Sequence, residues 1–149
     1  MELRRRRLTD ADVAPLLSGL AEEYQTRYGS GDEMRRASVD EFDPPRGVFL
    51  ILVDDGVTVA GGGFRYLEPG VCEVKRMWTS PASRRRGHAM TVLAALEDAA
   101  REAGYSTLRL ETGPAQPEAQ ALYEGRGYRR IPVFGHYPQA LAFERDLLY

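Results

Sequence analysis

Val71-Cys72-Glu73-Val74-Lys75-Arg76-Met77-Trp78, Thr79-Ser80-Pro81-Ala82-Ser83-Arg84-Arg85-Arg86 and Gly87-His88-Ala89 run together as the stretch from which the fold is read. The first eight residues have the β-branched and aromatic character of a strand, which Ser80-Pro81 ends. From Gly87 the period changes. Ala89, Val92, Leu93, Leu96, Ala100 and Ala103 recur at helical spacing, and Gly104 stands at the C-terminal cap position. Between strand and helix lie three arginines and a glycine. A helix N-terminus presents unpaired N–H groups and the positive end of the helix dipole. Gly87 lets an anion approach the backbone, and the arginines can add charge-assisted hydrogen bonds. On its own such a turn is either a phosphate site or a solvated loop. A Walker A loop would need Gly-x-x-x-x-Gly-Lys-Ser/Thr, which is absent. A dinucleotide fingerprint would need Gly-x-Gly-x-x-Gly between strand and helix, whereas Gly61-Gly62-Gly63 lies inside a strand pattern.

Working outward, residues 107–112 alternate as a strand, and Pro117 opens a short helix through Gly125. Residues 128–131 and 141–147 complete the strands on the C-terminal side. On the N-terminal side, 47–53 is a continuous apolar run, as expected of a strand covered on both faces. Asp54-Asp55-Gly56 turns it into a returning strand over 57–66, and Glu68-Pro69-Gly70 turns the chain again. Val13, Leu16, Leu17, Leu20 and Tyr24 form a helical stripe that ends by Gly29, with Thr9-Asp10-Ala11-Asp12 as N-capping candidates. Gly29–Arg46 is polar, with at most a short helix near Val39, and reads as a lid or substrate-binding segment. The basic start, Arg4 to Arg7, reads as a first strand with exposed arginines. The order β-α-(α)-β-β-β-α-β-α-β-β predicts an α/β protein with a mixed sheet and helices on its faces.

The 149 residues suit one domain spanning 1–149, with no repeat or linker to divide it. A net charge of −2 gives no general electrostatic case for nucleic acid. No apolar stretch is long enough to cross a bilayer. Cys72 is the one cysteine, so no internal disulfide can form and the expected compartment is reducing, hence cytoplasmic. With two histidines, His88 and His136, a Cys/His metal site is not expected.

Arg84-x-x-Gly87-x-Ala89 resembles the Gln/Arg-x-x-Gly-x-Gly/Ala signature of the GNAT family of N-acetyltransferases. Downstream, Gln116-Pro117-Glu118-Ala119-Gln120-Ala121-Leu122-Tyr123-Glu124-Gly125-Arg126-Gly127-Tyr128 resembles the family's second motif, Asn-x-x-Ala-x-x-Leu-Tyr-x-x-x-Gly-Phe/Tyr. Two motifs in this order and setting form a specific signal, covering residues 71–147. The resemblance implies the GNAT fold, a mixed central sheet of six to seven strands flanked by helices on both faces, with acetyl-CoA as acyl donor. It implies that strand 71–78 splays from its neighbour and that Met77, Trp78 and Thr79 bond the pantetheine arm through their backbone. The pyrophosphate would lie on the turn of Arg84, Arg85, Arg86, Gly87, His88 and Ala89. Gln116 stands where the family commonly has asparagine.

Acetyl transfer to an amine needs a base, an oxyanion donor and an acid for the departing thiolate. Tyr123 matches the family tyrosine that acts as that acid; otherwise it is a helix tyrosine packed under the sheet. Glu73 is the candidate base, acting through water; its plain alternative is an ion pair with Lys75, two residues along one strand face. Tyr66, Glu111 and His136 are reserves, and the Met77 N–H is the expected oxyanion donor. The expected acceptor is a small-molecule amine, with Gly29–Arg46 and Ile131–Ala140 as the expected acceptor walls. A protein or peptide amine, or a non-catalytic acyl-CoA-binding or sensing domain, are the alternatives. Glu22, Glu23, Asp32, Glu33, Asp40, Glu41 and Asp43 would suit a cationic acceptor, or simply solvate a surface. Edge strands in this fold often pair between copies, so a homodimer is an open expectation.

Overall fold

A computed structural model describes residues 1–28, 40–114 and 117–147. Gln116, Asp32, Glu33 and the short helix expected near Val39 lie outside the described residues. The described strands are β1 (Glu2–Arg5), β2 (Val48–Asp54), β3 (Val57–Glu68), β4 (Val71–Thr79), β5 (Thr107–Thr112), β6 (Arg129–Ile131) and β7 (Leu141–Asp146). Three α-helices are described, α1 (Ala14–Tyr28), α2 (His88–Glu102) and α3 (Pro117–Gly125). The strands form one seven-stranded sheet in the order β1-β2-β3-β4-β5-β7-β6. Among the described strands only β4 and β5 pair in parallel; α2 makes the crossover that a parallel pair requires.

Helices cover both faces, and β2 shows why its run is apolar throughout. Val48, Leu50 and Leu52 point into the cluster under α2 and α3, with Val92, Leu93, Leu96, Leu108, Leu110 and Phe143. Phe49, Ile51 and Val53 point into the cluster under α1, with Val13, Leu16 and Leu20. Each fully buried leucine or isoleucine contributes on the order of 2 kcal/mol relative to exposure. Phe42, from the segment before β2, fills the second cluster edge-on to Phe49 at 5.4 Å between ring centroids.

The N-terminal cap of α1 differs from expectation. The chain enters through a 3-10 turn over Ala11–Val13, where the Val13 N–H bonds the Asp10 carbonyl. The acids therefore stay outside the first α-helical turn and meet arginines instead. Asp10 accepts from the Arg7 N–H at 2.8 Å, and Asp12 pairs with Arg6 at 2.9 Å and Arg4 at 3.4 Å. Arg5 pairs with Glu102 and Arg7 with Asp43, so all four N-terminal arginines are matched to carboxylates of the chain.

A further buried charge ties the C-terminal half together. Glu97 of α2, 1% exposed, receives Arg126 at 2.5 Å, the Tyr128 hydroxyl at 2.7 Å and Arg145 at 2.9 Å. Burial alone would raise its pKa; the hydrogen bonds from Arg126 and Tyr128, with the charges of Arg126 and Arg145, outweigh burial and lower it.

Candidate active site

The sheet opens where β4 and β5 part. Their pairing runs from Val71 with Thr107 to Val74 with Leu110. Beyond that, β4 continues to Thr79 paired with β3, and β5 continues to Thr112 paired with β7. An irregularity of β4 accompanies this parting, which the expected splay of strand 71–78 describes. Between the pairs Gly63–Lys75 and Gly61–Trp78, β4 carries one residue more than β3, and Arg76 takes a left-handed φ of 62°. Such a bulge bends its strand. The glycine run opposite makes room for it: a Cβ on Gly62 would lie 2.5 Å from the Met77 sulfur.

The turn after β4 brings α2 to the mouth of that opening. Gly87 is the N-cap of α2 with φ 79°, a conformation that suits glycine, and a Cβ there would meet nothing within 4 Å. Among the described residues no side chain caps the helix, and its first turn holds no acid. The N–H of Thr91 makes the bond to the Gly87 carbonyl at 3.1 Å, which leaves the N–H groups of His88, Ala89 and Met90 ahead of the helical ladder. This backbone fits a pyrophosphate. Arg85, with φ 65°, and Arg86 are exposed beside it. Arg84, also expected on the phosphate, has its guanidinium in contact with Glu23 of α1 and donates to the Thr79 carbonyl at 3.3 Å. His88 is 5% exposed and opens the helix.

Of the three expected pantetheine contacts, Met77 packs its side chain toward the α2 cluster. Trp78 is buried in the α1 cluster, where its indole N–H has no hydrogen-bond partner and lies against Gly19. A Cβ on Gly19 would fall 2.3 Å from that nitrogen. Thr79 ends the strand, paired with Ala60.

Glu73 and Tyr123 lie on opposite faces of the sheet: Cys72 and Val74 point into the α2-side cluster that holds Tyr123, which turns Glu73 the other way. Glu73, 6% exposed, pairs with Arg65 at 2.7 Å rather than with Lys75. Arg65 is its direct cross-strand partner, so the guanidinium reaches it without distortion. Arg65 also lies 3.0 Å from Glu41. Burial raises the Glu73 pKa and the Glu111 charge adds to the rise, while Lys75 and Arg65 oppose it. Tyr123 is buried on the α2 side, its ring 5.7 Å from that of Tyr128 and 5.8 Å from that of Phe143. Burial raises its pKa well above the usual tyrosine value.

The reserves separate. Tyr66 lies under the Arg46 guanidinium, 4.2 Å from the ring centroid. Both line an open cleft of about 530 Å³ with Asp40, Glu41, Asp43 and Arg65. Glu111 accepts the N–H groups of Phe134 and Gly135, and His136 is exposed just beyond them. Cys72 is buried, its thiol pushed up to about 12, and so is unsuited to act as a thiolate. Among the described residues no group of three or more His, Cys, Asp and Glu is placed to hold a metal ion, and no helix is long and apolar enough to cross a membrane. Three of these features escape a reading of sequence: the Arg65–Glu73 pair, the bulge at Arg76 and the Glu97 network. The run Gly61-Gly62-Gly63 was the available sign of the bulge, and Glu97, four residues after Leu93 on the apolar face of α2, that of the network.

Residues 16–128 match the acetyltransferase (GNAT) family. The chain is 31% identical over 136 residues to the uncharacterized N-acetyltransferase YjgM of Escherichia coli, covering 85% of this chain and 81% of that protein. It is 38% identical over 103 residues to the IAA acetyltransferase of Azospirillum brasilense, covering 66% of this chain and 67% of the other. The fold matches that of the PaiA N-acetyltransferase of Thermoplasma acidophilum in complex with coenzyme A, with a TM-score of 0.77 over 98% of this chain and 99% of that one, at 15% identity. The strand that parts from its neighbour, the uncapped glycine-led helix and the second motif around Tyr123 thus coincide with likeness over most of the chain, which belongs to the acetyltransferase (GNAT) family of N-acetyltransferases.

Proposed function

We propose that the chain, as one domain over residues 1–149, transfers the acetyl group of acetyl-CoA to an amine, most readily a small-molecule amine. The observation that carries the reading is the parting of β4 from β5 beside a helix whose N–H groups no side chain caps. The backbone of residues 85–89 would hold the pyrophosphate, with Arg85 and Arg86 adding charge. The backbone of Met77, Trp78 and Thr79 would hold the pantetheine, and Gln116 a further contact. Acetyl-CoA supplies the activated acyl group; the protein's part is to orient it and to move protons.

Glu73 is assigned as general base. A buried carboxyl with a raised pKa is a better proton acceptor at neutral pH than an exposed one. The Met77 N–H is assigned to the oxyanion, and Tyr123 donates its proton to the departing sulfur. Burial raises the Tyr123 pKa, which keeps the hydroxyl in the protonated form that an acid must start from.

The acceptor side is assigned to the face bearing Glu73 and Glu41 and to the neighbouring cleft, whose carboxylates suit a protonated amine. No nucleic acid, membrane or metal enters this reading; the N-terminal arginines pair with Glu2, Asp12, Glu102 and Asp43. The cytoplasm is the assigned compartment. A homodimer through an edge strand, β1 or β6, is proposed on the same footing.

Calorimetry with acetyl-CoA, followed by thiol detection across an amine panel, tests the reading. Amine-dependent release of CoA supports it. Binding without release from any small or peptide amine would make the chain an acyl-CoA sensor instead.

A further inference from the structure

We propose that Glu111 and Gly135 form a latch that fixes the loop 132–140 as one wall of the acceptor site. The inference rests on the acetyl-transfer reading and names a positioning residue within it.

Glu111 stands one residue past Leu110, the last β5 residue paired with β4, and so on the rim of the opening. Leu108 and Leu110 are buried under α2, which turns Arg109 and Glu111 to the other face of the sheet, the face of Glu73. One carboxylate oxygen of Glu111 accepts two successive backbone N–H groups of the loop, from Phe134 at 3.2 Å and from Gly135 at 3.1 Å. The fit depends on glycine: a Cβ on Gly135 would fall 2.1 Å from the other carboxylate oxygen. Arg109 supports the same point from below. Its guanidinium lies 5.7 Å from the centre of the Phe134 ring and is itself held by Glu144 at 2.8 Å and Glu68 at 3.0 Å.

Between β6 and β7 the loop has no strand pairing among the described residues. It carries Pro132 and Pro138, and it presents Val133 and Tyr137 at 39% and 45% exposure on either side of the pinned pair. A carboxylate that takes two N–H groups sets the height and tilt of such a loop at one point, beside the opening. Glu111, a reserve candidate for the base, has its oxygen engaged by backbone donors, which suits positioning better than proton transfer.

Three variants separate this role from others: Glu111→Ala, Glu111→Gln and Gly135→Ala. Each is measured for acetyl-CoA affinity by calorimetry, and for kcat and KM with the best-used amine of a panel of amino acids, diamines, arylalkylamines and short peptides. Glu111→Ala removes the acceptor. Gly135→Ala displaces it through the flexible end of a side chain, a small cost to folding. Both are expected to raise the amine KM roughly tenfold with acetyl-CoA affinity held within about twofold, the split that marks lost substrate placement rather than a damaged fold. Glu111→Gln keeps a carbonyl oxygen for the two N–H groups and is expected to recover most of the loss. Amide exchange at Phe134 and Gly135 should quicken in Glu111→Ala and less in Glu111→Gln. If Glu111→Gln is as impaired as Glu111→Ala, charge rather than the latch matters and the inference is wrong. Unchanged amine KM in all three variants overturns it too, while leaving acetyl transfer intact. A wild-type chain that fails to bind acetyl-CoA overturns both.

Discussion

Arg65 donates from Nη2 to Glu73 at 2.7 Å, between direct partners of the β3–β4 pair. The same arginine lies 3.0 Å from Glu41 and lines the cleft beside the site. It therefore joins the proposed base to the proposed acceptor wall, and its charge tempers the rise that burial imposes on the Glu73 carboxyl.

That balance sets a pH dependence. With Glu73 as base, activity requires its ionised form, and a raised pKa places the acid limb of kcat/KM above the ordinary glutamate range. Arg65→Met removes an opposing positive charge, so the limb should move to higher pH. Glu73→Gln should remove the limb and lower kcat/KM on the order of 10²-fold. Both are read from pH–rate profiles. An acid limb that Glu73→Gln leaves in place would assign the base elsewhere.

Tyr123→Phe tests the acid. The ring contacts with Tyr128 and Phe143 survive the substitution, so folding and acetyl-CoA affinity should hold. The kcat should fall on the order of 10²-fold. An unchanged kcat would leave Tyr123 as a packing residue.

Gly87→Glu puts a carboxylate where the pyrophosphate is assigned. CoA binding should weaken at least roughly tenfold, about 1.4 kcal/mol. Because Gly87 has φ 79°, Gly87→Asn serves as the control, since asparagine tolerates that conformation without adding charge. Equal affinities for the two variants would mean that the phosphate lies elsewhere.

Glu97 bears on stability, not catalysis. Glu97→Ala leaves Arg126, Arg145 and the Tyr128 hydroxyl without their acceptor and should cost roughly 3–5 kcal/mol in denaturant unfolding. Its pKa is lowered in the fold, so its stabilisation is complete above the ordinary glutamate value and is lost as pH falls through the lower, folded value. Wild type should lose stability over that acid window, and Glu97→Ala should lose less.

What was legible in the sequence was whatever depends on period and local chemistry. The doubly covered β2, the apolar face of α2 and the strand-to-helix turn at Gly87 each follow from side-chain spacing alone, and the two motifs carried the family. Contacts between distant segments were not legible. Arg65 and Glu73 meet only because a hairpin register sets them opposite each other. Arg84 meets Glu23 through tertiary packing between segments 61 residues apart. Asp10 and Asp12 fail to cap α1 because a 3-10 turn intervenes, the Arg7 backbone N–H takes Asp10, and the guanidiniums of Arg4 and Arg6 take Asp12. The bulge at Arg76 adds one residue to a ladder whose period reveals nothing of it, although it accompanies the parting of β4 from β5.

The most direct test of the central claim is calorimetric titration of the purified chain with acetyl-CoA, paired with thiol release on adding amines. The account predicts binding in the micromolar range or tighter and release of CoA with at least one amine. No detectable binding at millimolar acetyl-CoA would contradict it.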